Sequence, residues 1–172
     1  MNTMQLKWTV ALLALAATNA LAATSEPKAP TLKVGAPAPK LQCGKWVQGQ
    51  PVKDFQQGKA YIIEFWATWC GPCRASMPHL NQIQDRFQSQ GLVVIGLSVD
   101  DGSANSVRRF AEKLGVRFRL AMADEGVLDD YGPIRSIPTT IFINRKGEIV
   151  RRVVGYIDEE TMEGFTREIL RK

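Results

Sequence analysis

The chain has 172 residues, 45% of them hydrophobic and 23% charged, with a formal net charge of +5. That is one domain's length and an ordinary globular composition, which excludes a disordered or fibrous chain. The positive balance is mild and unclustered, which excludes a nucleic-acid partner recognised by charge; Arg117 with Arg119, and Arg151 with Arg152, read as solvated strand surface.

Taken in chain order, the first segment reads as a signal peptide over residues 1–22. MNTMQLK is followed by the apolar stretch WTVALLALAA and then TNALA, with Ala20 and Ala22 at the small-residue positions of a cleavage site. The apolar run falls short of the roughly twenty residues that span a bilayer, and an N-terminal membrane anchor is the alternative. Cleavage after Ala22 leaves a Pro- and Lys-bearing linker, 23–34, ahead of a single domain, 35–172. Export places the three cysteines in an oxidising setting. Three is an odd number, and Cys70 and Cys73 are too close to staple distant segments. One pair plus one leftover suits a redox motif.

Residues 44–54, GKWVQGQPVKD, predict a short hairpin, with Trp46-Val47 and Val52 flanking Gly49, Gln50 and Pro51. The run Ala60 to Trp66 is a buried strand. A helix is expected from about Pro72 to Gln88, with Met77, Leu80, Ile83 and Phe87 down one side. Gly91 closes it, and LVVIGLSV (92–99) is a second buried strand. Ser103 caps a helix carrying Val107, Phe110, Ala111 and Leu114 at helical spacing. Phe118 to Met122 is a short strand and Glu125 to Tyr131 a short helix. TTIFIN (139–144), a turn at Arg145–Gly147 and EIVRRVVGY (148–156) form a second hairpin. Asp158 starts a closing helix with Met162, Phe165 and Ile169 inward. The alternation implies an α/β fold, a central mixed sheet with helices on both faces.

The stretch AYIIEFWATWCGPC (60–73) carries the chemistry. Pro72 opens the helix, where its missing N–H costs nothing. Cys70 then lies at the exposed helix N-terminus, where free N–H groups and the macrodipole favour a thiolate, the nucleophile of disulfide exchange. Cys73 comes round to the same end as the buried resolving thiol. Glu64 sits in the strand six residues before Cys70. A carboxyl in apolar surroundings has a raised pKa, so Glu64 is a candidate base for Cys73, directly or through a water; the competing reading is a solvated glutamate.

EFWATWCGPC followed downstream by SIPTT resembles the thioredoxin superfamily. With the leader and the strand–helix–strand insert at 98–122, it is more closely similar to exported thiol–disulfide oxidoreductases of the TlpA/ResA type, over roughly residues 34–172. The resemblance implies a thioredoxin-like fold, a cis Pro138 facing the cysteines, and an Ile137 backbone left to pair with a substrate strand. By it, Trp69, Gly71, Pro72, Ile137 and Pro138 bind substrate, Glu64 stands where thioredoxins carry a buried aspartate, and no cofactor is needed beyond the Cys70–Cys73 disulfide. Many members carry a glutamate three residues after the second cysteine. Here that residue is Ser76, which can hydrogen-bond but cannot act as a carboxylate base, so the resemblance does not by itself imply the roles tied to that glutamate, such as apocytochrome c reduction.

Gly-Pro between the cysteines and isoleucine before Pro138 resemble thioredoxin, a reducing member at about −270 mV against roughly −120 mV for DsbA. The expected partners are disulfide-containing proteins and a membrane electron donor of the DsbD/CcdA kind, with the chain itself a monomer. Two other functions compete: a peroxiredoxin-like thiol peroxidase, and a binding module with a structural disulfide. Cys43 reads as a small buried hydrophobe and His79 as a surface or packing residue. Cys43, Cys70, Cys73 and His79 together make a Cys₃His zinc-ligand inventory, but a closed zinc site has no need of the WCGP and Ile-Pro-Thr segments. Trp66 and Trp69 read as core packing and active-site shielding, with Trp66 the more buried.

Overall fold

A computed structural model describes residues 32–171. The signal peptide expected over 1–22, and residues 23–31 of the linker, lie outside the described residues. The elements are β1 (Trp46–Gln48), β2 (Ala60–Trp66), α1 (Gly71–Phe87), β3 (Leu92–Ser98), α2 (Ala104–Lys113), β4 (Arg119–Met122), α3 (Glu125–Asp130), β5 (Thr139–Ile143), β6 (Ile149–Val154) and α4 (Glu159–Arg171).

The six strands form one mixed sheet in the order β1-β4-β3-β2-β5-β6. β2, β3 and β4 run parallel, while β5 is antiparallel to β2 and β6 to β5. β2 and β3 are buried at every position, as near-continuous apolar strands covered on both faces must be. Alternate side chains feed two cores. Ile62, Trp66 and Val94 point toward α1, α2 and α4, where Leu80, Val107 and Met162 cover them. Tyr61, Ile63, Phe65 and Ile95 point the other way, toward Val127 of α3 and toward Leu41 and Val52 of the N-terminal segment. Helices therefore lie on both faces, and the segment expected as an insert at 98–122 runs from the last residue of β3 through α2 and β4.

The hairpin expected over 44–54 does not form. Trp46–Gln48 is a strand, but it pairs antiparallel with β4 at the sheet edge. Gly49 turns at φ +77° against Arg119, and Pro51 brings no N–H to a returning strand. Val52 is buried against Leu41 and Tyr61 instead, and the Lys53 carbonyl accepts the Leu41 N–H at 3.2 Å. An open ladder on β4 outcompetes a local partner that cannot donate.

The helix boundaries follow their caps. Ser103 accepts the Ser106 N–H, Asp124 the Val127 N–H and Asp158 the Thr161 N–H, each satisfying a donor left free at a helix start. In α2, Val107 and Ala111 are buried and Phe110 stacks on Trp66 at 6.0 Å, whereas Leu114, past the last turn, is exposed. Gly91, at φ +90°, reverses the chain between α1 and β3. Arg151 is not solvated strand surface: its guanidinium lies 4.2 Å from the Phe165 ring centroid and pairs with Glu168. At the end of the sheet where β2 and β3 begin, Arg145 donates to the carbonyls of Gly58, Gln90 and Leu170 at 2.5, 2.8 and 2.6 Å. One guanidinium thereby ties two loops to the end of α4.

Candidate active site

The cysteines lie at the opposite end of the sheet, where β2 and β3 finish. Cys70 is the N-cap of α1, with φ −81° and ψ 106°, outside the helical region. Its Sγ accepts the Cys73 N–H at 3.2 Å, as a capping oxygen does elsewhere. Gly71 and Pro72 fill the first turn, where proline is tolerated. Cys70 and Cys73 are joined in a disulfide. Cys73 is 0% exposed and Cys70 only 5%. The expected open end of the helix is thus covered: Cys70 Sγ stands 3.8 Å from the Ile137 carbonyl oxygen. The Ile137–Pro138 bond is cis, and the Pro138 carbonyl accepts the Gly155 N–H at 2.8 Å. Trp69, at 71% exposure, stands outside this cover, with Gly71 and Pro72 also exposed and Ile137 half-buried.

Glu64 is 2% exposed and lies between Gly96 of β3 and Thr140 of β5 in the sheet register. Its Oε1 accepts the Ser76 hydroxyl at 2.6 Å, and its Oε2 the Thr140 hydroxyl at 3.3 Å. Ser76 Oγ also stands 2.8 Å from the Cys73 carbonyl oxygen. The carboxyl is therefore linked through one hydroxyl to the backbone of the second cysteine. Burial pushes the Glu64 pKa up to about 7, against the opposing pull of the Ser76 and Thr140 hydrogen bonds. A solvated glutamate is excluded.

Asp100 had no place in the sequence reading. Its carboxylate accepts the Thr68 N–H at 3.0 Å, the Thr68 hydroxyl at 2.6 Å and the Ser98 hydroxyl at 2.7 Å. This pins the turn that delivers Cys70. The available signal was Ser98-Val-Asp100 directly after a buried parallel strand, at the end where sites collect in such sheets.

Cys43 is a free, half-buried thiol packed in the core on the other face from the Cys70–Cys73 pair. Burial, and then the nearby Asp124 carboxylate, push its pKa up to about 11. His79 is half-buried with its ring 6.0 Å from that of Tyr156. The zinc inventory is not brought together: among the described residues no three His, Cys, Asp or Glu side chains gather as a metal site.

Residues 34–152 match the AhpC/TSA family. The chain belongs to that family. Within the wider thioredoxin superfamily it is similar to the thiol-disulfide oxidoreductase ResA of Bacillus thuringiensis, 29% identical over 141 residues that cover 76% of this chain and 80% of ResA. ResA of Halalkalibacterium halodurans is 37% identical over 111 residues, 63% of this chain and 61% of that protein. Among solved structures, a thioredoxin-family thiol:disulfide interchange protein of Chlorobium tepidum superposes with a TM-score of 0.72 at 29% identity, covering 79% of this chain and 97% of its own. With its paired cysteines at a helix N-terminus, the chain is a redox enzyme of the thiol–disulfide oxidoreductase class.

Proposed function

We propose that the chain is an exported reductase of protein disulfides, with Cys70 as nucleophile, Cys73 as resolving thiol and Glu64 as its proton acceptor. The observation that carries this reading is the N-cap position of Cys70, whose sulfur receives the Cys73 N–H at 3.2 Å. A thiolate there is stabilised by that donor and by the helix dipole. It attacks one sulfur of a substrate disulfide, forming a Cys70–substrate bond while the other substrate sulfur leaves with the electron pair. Cys73 then gives its proton to Glu64 and attacks Cys70 Sγ. The Cys70–Cys73 bond forms, the mixed disulfide breaks, and the second substrate thiolate departs. Two electrons pass from the dithiol to the substrate.

The exposed Trp69, Gly71 and Pro72 and the adjoining Ile137–Pro138 segment are the surface assigned to the substrate chain. Export and cleavage after Ala22 rest on the apolar N-terminal segment; among the described residues no helix is long and apolar enough to cross a membrane. Resupply of electrons is assigned to a membrane thiol-transfer protein of the DsbD/CcdA kind, with the chain acting as a monomer.

The family match keeps a thiol peroxidase as the second reading. Against it, Ala67 rather than threonine stands three residues before Cys70, so the Thr-x-x-Cys setting of that class is missing. The reduced protein is expected to reduce insulin disulfides far faster than hydrogen peroxide, and Cys73→Ser to trap substrates as mixed disulfides. Rapid peroxide turnover with slow insulin reduction overturns the proposal.

A further inference from the structure

The Ser76 hydroxyl has one hydrogen, yet two acceptors flank it, Glu64 Oε1 at 2.6 Å and the Cys73 carbonyl oxygen at 2.8 Å. With Glu64 ionised, one of the two contacts holds no hydrogen. The count closes when the carboxyl brings its own. Glu64 then donates to Ser76 Oγ, Ser76 donates to the Cys73 carbonyl, and Thr140 donates to the other carboxyl oxygen. On ionisation the Ser76 hydrogen turns to the carboxylate, and the Cys73 carbonyl keeps its helical bond alone.

We propose that Ser76 is the positioning residue for Glu64, a one-hydrogen switch that faces the Cys73 carbonyl while the acid holds its proton and faces the carboxylate when it does not. This rests on the reading of Glu64 as the proton acceptor for Cys73. Before resolution, Ser76 stabilises the carboxylate that must receive the thiol proton. Once the proton has moved, the same hydroxyl swings back to the helix and accepts from the acid. The oxidised form, the product of that step, contains both short contacts.

The surroundings leave Ser76 little competition. On the sheet face shared with Glu64, β3 presents Gly96 and β5 presents Thr140. α2 contributes Val107 and Ala111, and α4 contributes Met162 and Thr166. α1 contributes the buried Cys73 thiol; its Arg74 is exposed and its half-buried His79 stands against the Tyr156 ring, and the charges of Arg151 and Glu168 pair with each other two strands away.

The test titrates the Glu64 carboxyl by ¹³C NMR in the oxidised protein, where Cys73 cannot titrate, in wild type, Ser76→Ala and Ser76→Thr. Alanine favours helix, so α1 is expected to survive. Losing a donor to a charged group should raise the Glu64 midpoint by about one pH unit in Ser76→Ala, and threonine should return it toward wild type. The pH profile of single-turnover resolution should move with it. An unchanged or lowered midpoint in Ser76→Ala, or the same shift in Ser76→Thr, overturns the switch. A midpoint that moves while resolution ignores both Ser76→Ala and Glu64→Gln upholds the switch and removes Glu64 from the mechanism.

Discussion

The Asp100 carboxylate holds Thr68 twice, by its backbone N–H and by its hydroxyl, two residues before Cys70. It also takes the Ser98 hydroxyl at the end of β3. Three donors in a half-buried turn thus converge on one side chain. Asp100→Ala leaves them to find other partners and should cost about 1–3 kcal/mol. Asp100→Asn, which keeps one carbonyl acceptor, should cost less. Denaturant midpoints of the two variants check this, and equal midpoints with wild type would refute it.

Glu64 sets a pH dependence of stability. Its folded pKa is raised, from 4.5 to about 7, so the protonated form is favoured by folding. The associated stability is complete below 4.5 and declines as pH rises toward 7. Glu64→Gln, a mimic of the neutral acid, should therefore gain on wild type across that window, on the order of 3 kcal/mol by its upper end. It should also slow resolution by about 10²–10⁴-fold, the usual loss with a general base. Parallel melts in steps from pH 4 to 8, with single-turnover exchange, read both effects.

Cys70 should react first although it is barely more exposed than Cys73. The preference rests on the N-cap position and the Cys73 N–H, not on access. In the reduced protein at mildly acidic pH, iodoacetamide should label Cys70 much faster than Cys73 by peptide mapping. Equal labelling would remove the argument from the helix terminus.

Gly96 is packed too tightly for a side chain. A Cβ there would lie 2.6 Å from Leu120 Cδ2, 2.9 Å from Trp66 Nε1 and 3.1 Å from Phe118 Cε2, all in the core between β3 and the helices. Gly96→Ala should destabilise by about 1–3 kcal/mol through overpacking. A thermal melt matching wild type would mean that the indole and Leu120 yield freely.

Cys43→Ala should leave insulin reduction unchanged, because Cys43 packs on the other face of the sheet from the disulfide and is held as a thiol by burial. Non-reducing peptide maps should find it unpaired. A Cys43 disulfide to Cys70, Cys73 or a second chain would contradict this.

What the sequence made legible was local. β2, α1 and the capping role of Cys70 follow from an apolar run, helical spacing and a Gly-Pro first turn. The partner of Trp46–Gln48 was not legible, because strand pairing depends on which edge is open, and that edge is over seventy residues away. The cover over Cys70 comes from Ile137, sixty-seven residues along the chain. Ser76 was recognised as lying on the Cys73 side of the helix. That it reaches Glu64 depends on how closely α1 settles on the sheet, a distance no periodicity contains. Asp100 was missed for a related reason: one carboxylate serving a neighbouring loop leaves no repeat to read.

Arg145 sits at the end of the sheet far from the cysteines, fastening the loops before β2 and β3 to the last turn of α4. Damage there loosens the chain without touching sulfur chemistry. In a cell, an Arg145 variant should be cleared by proteolysis and present in fewer copies, each surviving copy exchanging disulfides at the ordinary rate. Inherited variation in this enzyme therefore divides by geography: changes at the Arg145 end of the sheet alter only how much of it there is, whereas changes at the cysteine end can alter both its amount and what each molecule does.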